Sequence, residues 1–262
     1  MSLFSRRDFL KLSGLALAAS AFSRFDLPAI VSNGLVILYH GSRNFRKVAI
    51  AFDDCWHPKV LDQLMGMVAP YPGFHLTFFA IGDAILIGET LSPGIWKRIY
   101  QSGHEIGYHT MHHTDMMSSN DMLADFDQWI NVLQQVLGFL PEVHFAKAPG
   151  NYVSKSFEIL CSERGLVDTR YSIGYEAETV DEGLLYATRT QNGDIVQMHT
   201  YQDPPHGRFD VEITAKVVPY LAGQGFSLVT MSQLYDDVLR DQINSNGCDK
   251  GTGQSLTRTC IE

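Results

Sequence analysis

Residues 48–58 read VAIAFDDCWHP. The first half is an apolar run made for a buried strand, and it ends in two adjacent aspartates, Asp53 and Asp54. Working outward, "GLVILYHGS" (34–42) is a second β-branched run of strand length. Residues 59–72 space Val60, Leu61, Leu64, Met67 and Val68 helically and stop at prolines. "HLTFFAIG" (75–82) predicts a strand, "SPGIWKRIYQSG" (92–103) a helix capped by Ser92, and "HEIGYHT" (104–110) another strand. Residues 119–138 form the clearest helix, with Met122, Phe126, Trp129, Ile130, Leu133 and Leu137 on one stripe.

Later segments keep the same order: strands around "VHFAKAP", "RYSIG", "DIVQMHT" and "FSLVTM", and helices around "KSFEILCSERG", "EITAKVVPYLAGQG" and "SQLYDDVLRDQI". Strands alternating with helices imply an α/β protein with a parallel sheet. About seven such units favour a (β/α) barrel over an open sheet.

The ends of the chain read differently. Arg6 and Arg7 precede a short apolar run that closes on Ala19, Ser20 and Ala21, so residues 1–21 are expected to be a twin-arginine export signal. That run is too short to be a permanent membrane span. The implied partner is the twin-arginine export machinery, and the implied location is the periplasm, cell envelope or exterior. Residues 22–243 would be the folded domain, and the polar, glycine-rich 244–262 a flexible tail. Removing residues 1–21 takes the net charge from −9 to −11, which argues against nucleic acid as a partner. The four cysteines, Cys55, Cys161, Cys248 and Cys260, lack zinc-site spacing; a Cys248–Cys260 disulfide and free thiols both stay open.

In a parallel α/β protein, chemistry gathers where strands end at their carboxyl side. Asp53 and Asp54 end one predicted strand, His109, His112 and His113 another, Lys147 and Pro149 a third, and His199 a fourth. Either His109 with His113 or His109 with His112 shares a face if a helical turn begins there. Two imidazoles and one carboxylate suit a divalent transition metal and leave positions for water and substrate. The second aspartate is then free to act as general base. Spacing does not say which aspartate does which.

These segments, in order, resemble the NodB-type polysaccharide deacetylases, carbohydrate esterase family 4. "AFDD" (51–54), "LTFFAIG" (76–82), "GHEIGYHTMHH" (103–113), "KAPGN" (147–151), "GDIVQMHT" (193–200) and "GQGFSLVTMSQL" (223–234) carry the resemblance, which spans about residues 34–240. It implies a distorted (β/α) barrel, with Asp54, His109 and His113 as metal ligands, Asp53 as general base, His199 as general acid and His112 as a bystander. The implied metal is zinc, although cobalt, nickel and manganese suit the same donors. The implied reaction is hydrolysis of an N- or O-acetyl group on a glycan by metal-activated water, with a backbone N–H near Gly150 or Asn151 adding to the oxyanion hole. Trp56, Tyr152 and Tyr201 are candidates for stacking on sugar rings.

Three departures stand out. Lys147 replaces the arginine that orients the base, so the charge is kept and the bidentate fork lost. Cys55 replaces a glycine, adding a thiol at the mouth. Gly174 stands where an acid is expected, so His199 needs a carboxylate partner from Glu176, Glu178 or Asp168. The alternative function is a related amide hydrolase acting on a small non-sugar substrate; a binding protein on the same barrel is opposed by the presence of Asp53, Asp54, His109, His113 and His199 together.

Overall fold

The structure is a computed structural model of the chain and describes residues 28–32, 34–114, 117–201 and 209–245. The proposed export signal, Cys248 and Cys260 lie outside the described residues.

Its centre is strand β3 (Lys47–Asp54). The chain enters through β1 (Ala29–Ser32) and β2 (Leu35–Leu38), which pair antiparallel. After β3 come helix α1 (Pro58–Val68), β4 (Thr77–Ala80), α2 (Gly82–Leu91), α3 (Ile95–Gln101), β5 (Glu105–Tyr108) and α4 (Ser119–Leu137). Then follow β6 (Phe145–Ala146), α5 (Lys155–Arg164), β7 (Val167–Thr169), β8 (Ile173–Gly174), α6 (Val180–Ala187), β9 (Ile195–His199), α7 (Asp210–Gly223), β10 (Ser227–Leu228) and α8 (Met231–Ser245). The sheet order is β1-β2-β7-β6-β5-β4-β3-β9-β8, with β10 joining the start of β3. Every pairing except β1–β2 is parallel. The sheet curls into a distorted (β/α) barrel, and among the described residues its two ends, β1 and β8, do not pair with each other.

The alternation along β3 explains its central place. Val48, Ile50 and Phe52 face outward into a core shared with Leu61 and Leu64 of α1, Trp96 of α3 and Trp129 of α4. The small Ala49 and Ala51 face the concave side, where Phe79, Phe145 and five residues of α8 (Met231, Leu234, Tyr235, Val238, Leu239) fill the space. Each fully buried large side chain contributes roughly 1.5–3 kcal/mol, so α8 is a structural plug for the barrel. Gly107 in β5 is required by close approach: a Cβ there would sit 2.5 Å from the Phe79 ring.

Three local expectations are corrected. Ser92 does not cap a helix N-terminus; it ends α2, and α3 starts after Gly94, whose φ of 78° suits glycine. Helix α2 escapes pattern reading because its apolar residues run round the cylinder, with Leu86, Ile87 and Leu91 exposed. Helix α8 continues through Asn244 and Ser245, two residues into the expected tail. No helix among the described residues is long and apolar enough to cross a membrane.

Candidate metal and catalytic site

Asp53 and Asp54 close β3 at its carboxyl end, and the strands on either side bring their own ends to the same place. Asp53 pairs in register with His199 of β9, and Asp54 with Ala80 of β4. Strand alternation alone would send Asp54 outward with Phe52. Its φ is instead 68°, and a rotation from the parallel-strand value of about −120° swings Cβ to the other side of the chain. Cys55 follows at φ 69°. Two consecutive non-glycine residues in the left-handed region are costly and persist only where the surroundings impose them. Both carboxylates are thereby turned to one mouth, 2% and 4% exposed.

The imidazoles come from the loop after β5. His109 is buried, and its Nδ1–H donates to the Lys147 carbonyl at 2.8 Å, which leaves Nε2 as the lone-pair nitrogen. His109 Nε2 lies 3.4 Å and His113 Nε2 3.2 Å from Asp54 Oδ1. The helical turn that was to align these histidines does not form: Thr110 and His113 have φ of 63° and 54°, and the stretch is a bend. The loop is clamped from two sides instead. The first amides of α2, Gly82 and Asp83, donate to the carbonyls of Thr110 and Met111 (both 3.0 Å), and Asp125 of α4 accepts the Met111 N–H at 2.8 Å and the Tyr108 hydroxyl at 2.5 Å.

The donor set fits a divalent cation. One carboxylate oxygen and two imidazole nitrogens lie within 4.8 Å of one another. Donors about 2.0–2.1 Å from a tetrahedral ion stand roughly 3.3 Å apart, close to the separations seen. Asp54 Oδ1 is buried with no hydrogen-bond partner, so lone pairs converge there without a proton between them. Burial raises the Asp54 pKa, but His109 and the Tyr201 hydroxyl (2.8 Å from Oδ2) outweigh it and hold the carboxyl at about 2. Burial also lowers the His113 pKa, against the pull of Asp54.

Asp53 is held differently. The Lys147 ammonium lies 3.0 Å from its Oδ2, and the Gln197 amide N–H donates to the same oxygen at 3.0 Å. Its Oδ1 has no hydrogen-bond partner and is buried. His199 ends β9 with its Nδ1 paired to Glu176, just after β8, and its ring stacked on Tyr201 at 5.4 Å. Burial lowers the His199 pKa, but the Glu176 carboxylate more than compensates and leaves it raised. Of the three carboxylates weighed for His199, Glu176 is the one that reaches it. Asp168 pairs instead with Arg170 at 2.8 Å.

Other expected residues fall as follows. His112 turns away to an exposed pair with Asp83 at 2.8 Å. The Cys55 thiol is not at the mouth: its side chain is fully buried against the carbonyls of Phe52 and Phe79, and burial drives its pKa well up. A left-handed φ reverses Cys55 into the core. Gly150 and Asn151 form a tight turn, both at φ 58°, and the amides of Asn151 and Tyr152 donate within it to Ala148 and Pro149 at 3.1 Å each. Tyr152 is 61% exposed. Gln197 and Asp125 were not anticipated. Each carried a signal: a polar residue inside the apolar strand IVQMH, and an acid on the buried stripe of α4 beside Met122, Phe126 and Trp129.

Buried carboxylates and imidazoles gathered at the strand ends of an incomplete (β/α) barrel define the class of polysaccharide deacetylase-like barrels. Residues 40–167 match the polysaccharide deacetylase family. A Bacillus cereus peptidoglycan-N-acetylglucosamine deacetylase is 29% identical over 207 residues, covering 73% of this chain and 89% of that protein. Two solved structures show the same fold. A carbohydrate esterase family 4 pseudoenzyme from Bacillus anthracis has TM-score 0.65 at 17% identity, over 76% of this chain and 69% of its own. A family 4 acetyl xylan esterase from Clostridium thermocellum, in complex with a cobalt ion, has TM-score 0.61 at 23% identity, over 72% and 90%.

Proposed function

We propose that this protein is a metal-dependent hydrolase that removes acetyl groups from the amino sugars of a cell-wall glycan, working outside the cytoplasm after twin-arginine export. The observation that carries the reading is a pair of buried carboxylate oxygens on adjacent residues that have no hydrogen-bond partner: Asp54 Oδ1, 3.4 and 3.2 Å from two imidazole nitrogens, and Asp53 Oδ1. Its kinship to peptidoglycan deacetylases supplies the substrate class. Asp54, His109 and His113 would hold the ion, with zinc the first choice. A divalent cation bound there supplies Lewis-acid stabilisation of the carbonyl oxygen and acidifies water.

The chain's own groups do the proton work. Asp53 Oδ1 takes a proton from the attacking water as oxygen bonds to the acetyl carbon. His199, its Nδ1 committed to Glu176, presents the other ring nitrogen to the leaving amine and gives it a proton as the C–N bond breaks. The products are acetate and a free amino sugar. Because the amides of Asn151 and Tyr152 are committed within their turn, Gly150 is the amide assigned to the oxyanion.

The test is acetate release from N-acetylglucosamine oligomers by metal-loaded protein. Asp53→Asn should abolish turnover with metal still bound, and His113→Ala should lower metal content and activity together. Full activity in Asp53→Asn overturns the general-base role. Activity on small N-acyl amides but none on the oligomers would favour a non-sugar amide hydrolase.

A further inference from the structure

We infer that Gln197 and Asn151 form a positioning relay that fixes which oxygen of Asp53 acts as the base. The inference rests on the deacetylase reading above and assigns two residues that the reading does not use.

Lys147 supplies charge to Asp53 but little direction. An ammonium is a compact point charge with rotatable donors, and it does not set the plane of a carboxylate. The Gln197 side-chain amide does. It is 8% exposed, and its Nε2–H meets Asp53 Oδ2 at 3.0 Å, the same oxygen that Lys147 contacts. The Gln197 hydrogen bond and the Lys147 ion pair both fall on Oδ2, and Oδ1 has no hydrogen-bond partner, so the carboxylate is held by one oxygen with the other open.

Gln197 is itself oriented. An amide can present either its oxygen or its nitrogen, and only the nitrogen can donate to a carboxylate. Asn151 Nδ2 donates to Gln197 Oε1 at 3.2 Å, which selects the orientation that points Nε2 at Asp53. Asn151 is itself placed by the left-handed φ of 58° in the turn after Lys147, a conformation asparagine tolerates. On the adjacent strand β8 the register partner of Gln197 is Gly174, so no side chain competes for that space. The chain Asn151–Gln197–Asp53 thus runs from the proposed oxyanion turn to the proposed base.

Gln197→Met removes the donor at similar length, and Gln197→Glu sets an acceptor against the carboxylate. Kinetics on N-acetylglucosamine oligomers, metal content and thermal unfolding are measured together. Loss of a hydrogen bond to a charged group predicts a kcat about 10-fold to 100-fold lower for Gln197→Met, lower again for Gln197→Glu, with KM and metal content as in the unaltered protein. Asn151→Gly keeps the turn conformation and predicts a smaller fall in kcat, again at constant KM. An unchanged kcat in Gln197→Met, or a fall that metal content follows, overturns the relay. If the Gln197 variants fail to fold, the kcat of Asn151→Gly decides: unchanged, it overturns the relay; lowered at constant KM, it supports it. An unaltered protein inactive on the oligomers overturns the deacetylase reading, and the relay with it; an active one isolates the relay.

Discussion

The carboxylate of Asp125 holds the histidine loop from beneath, and its removal has a calculable cost. Asp125 is 7% exposed and accepts from two buried donors, the Tyr108 hydroxyl at 2.5 Å and the Met111 amide at 2.8 Å. In Asp125→Ala the Tyr108 hydroxyl keeps only the weak thioether acceptor of Met122 at 3.7 Å, and the Met111 amide loses its acceptor, in a cluster otherwise made of Phe126, Trp129 and Phe157. An orphaned buried donor costs about 1–3 kcal/mol, so the pair predicts a loss of about 2–6 kcal/mol. In a domain of ordinary stability, about 5–15 kcal/mol, this is a large fraction. Asp125→Asn keeps an acceptor oxygen and exchanges charged for neutral hydrogen bonds, which predicts a loss of only about 1 kcal/mol. Urea unfolding of the metal-free proteins, extrapolated linearly to water, measures both. Met111 lies between His109 and His113, so Asp125→Asn is also expected to weaken metal affinity while the protein stays folded. A loss below about 1 kcal/mol in Asp125→Ala would refute the reasoning, because it would mean that the two donors find other partners at no cost.

Other expectations follow from the same geometry. In Glu176→Gln, His199 loses the charge that keeps its pKa raised and retains the burial that lowers it, so the alkaline limb of the kcat–pH profile should move to lower pH; an unmoved limb would remove His199 from proton donation. The same pair links to stability: a folded pKa above the unfolded value of about 6.5 makes its contribution complete below that pH and lost as pH rises through the folded value, which urea titrations at several pH values would show. Zinc added to the metal-free protein at about 100 times its Kd should stabilise it by about 2.7 kcal/mol, and Asp54→Ala should erase the shift in a thermal melt. Cys55 should resist thiol reagents in the native protein and react only in denaturant, as peptide mapping would reveal, since the buried thiol is held far from its thiolate.

Most of the sheet was legible because its strands are continuous apolar runs that end in polar clusters, and KVAIAFDD alone specifies a buried strand and its chemical end. The positions of His109, Lys147 and His199 were legible for the same reason: the first two follow directly on strands and the third ends one. What local pattern could not supply was conformation. The left-handed turns at Asp54, Cys55, Thr110 and His113 are imposed by contacts distant in sequence, and although Asp and His visit positive φ more often than most residues, nothing local marks these positions. Hence a helical turn was expected where the chain bends, and a thiol was expected at the mouth where it lies in the core. The gap left by Gly174 was legible as a missing acid, and Glu176 was among the named substitutes. That Gln197 would reach Asp53 depends on the β3–β9 register, which only the assembled sheet fixes.

Lys147 touches both halves of the centre through different parts of itself, its main-chain oxygen receiving His109 and its side-chain nitrogen facing Asp53. A displacement of the β6 terminus would therefore act on both His109 and Asp53, the proposed metal ligand and the proposed proton acceptor. Replacing the side chain at this position would uncouple the acceptor alone, because the tether to His109 belongs to the backbone and is indifferent to which residue provides it.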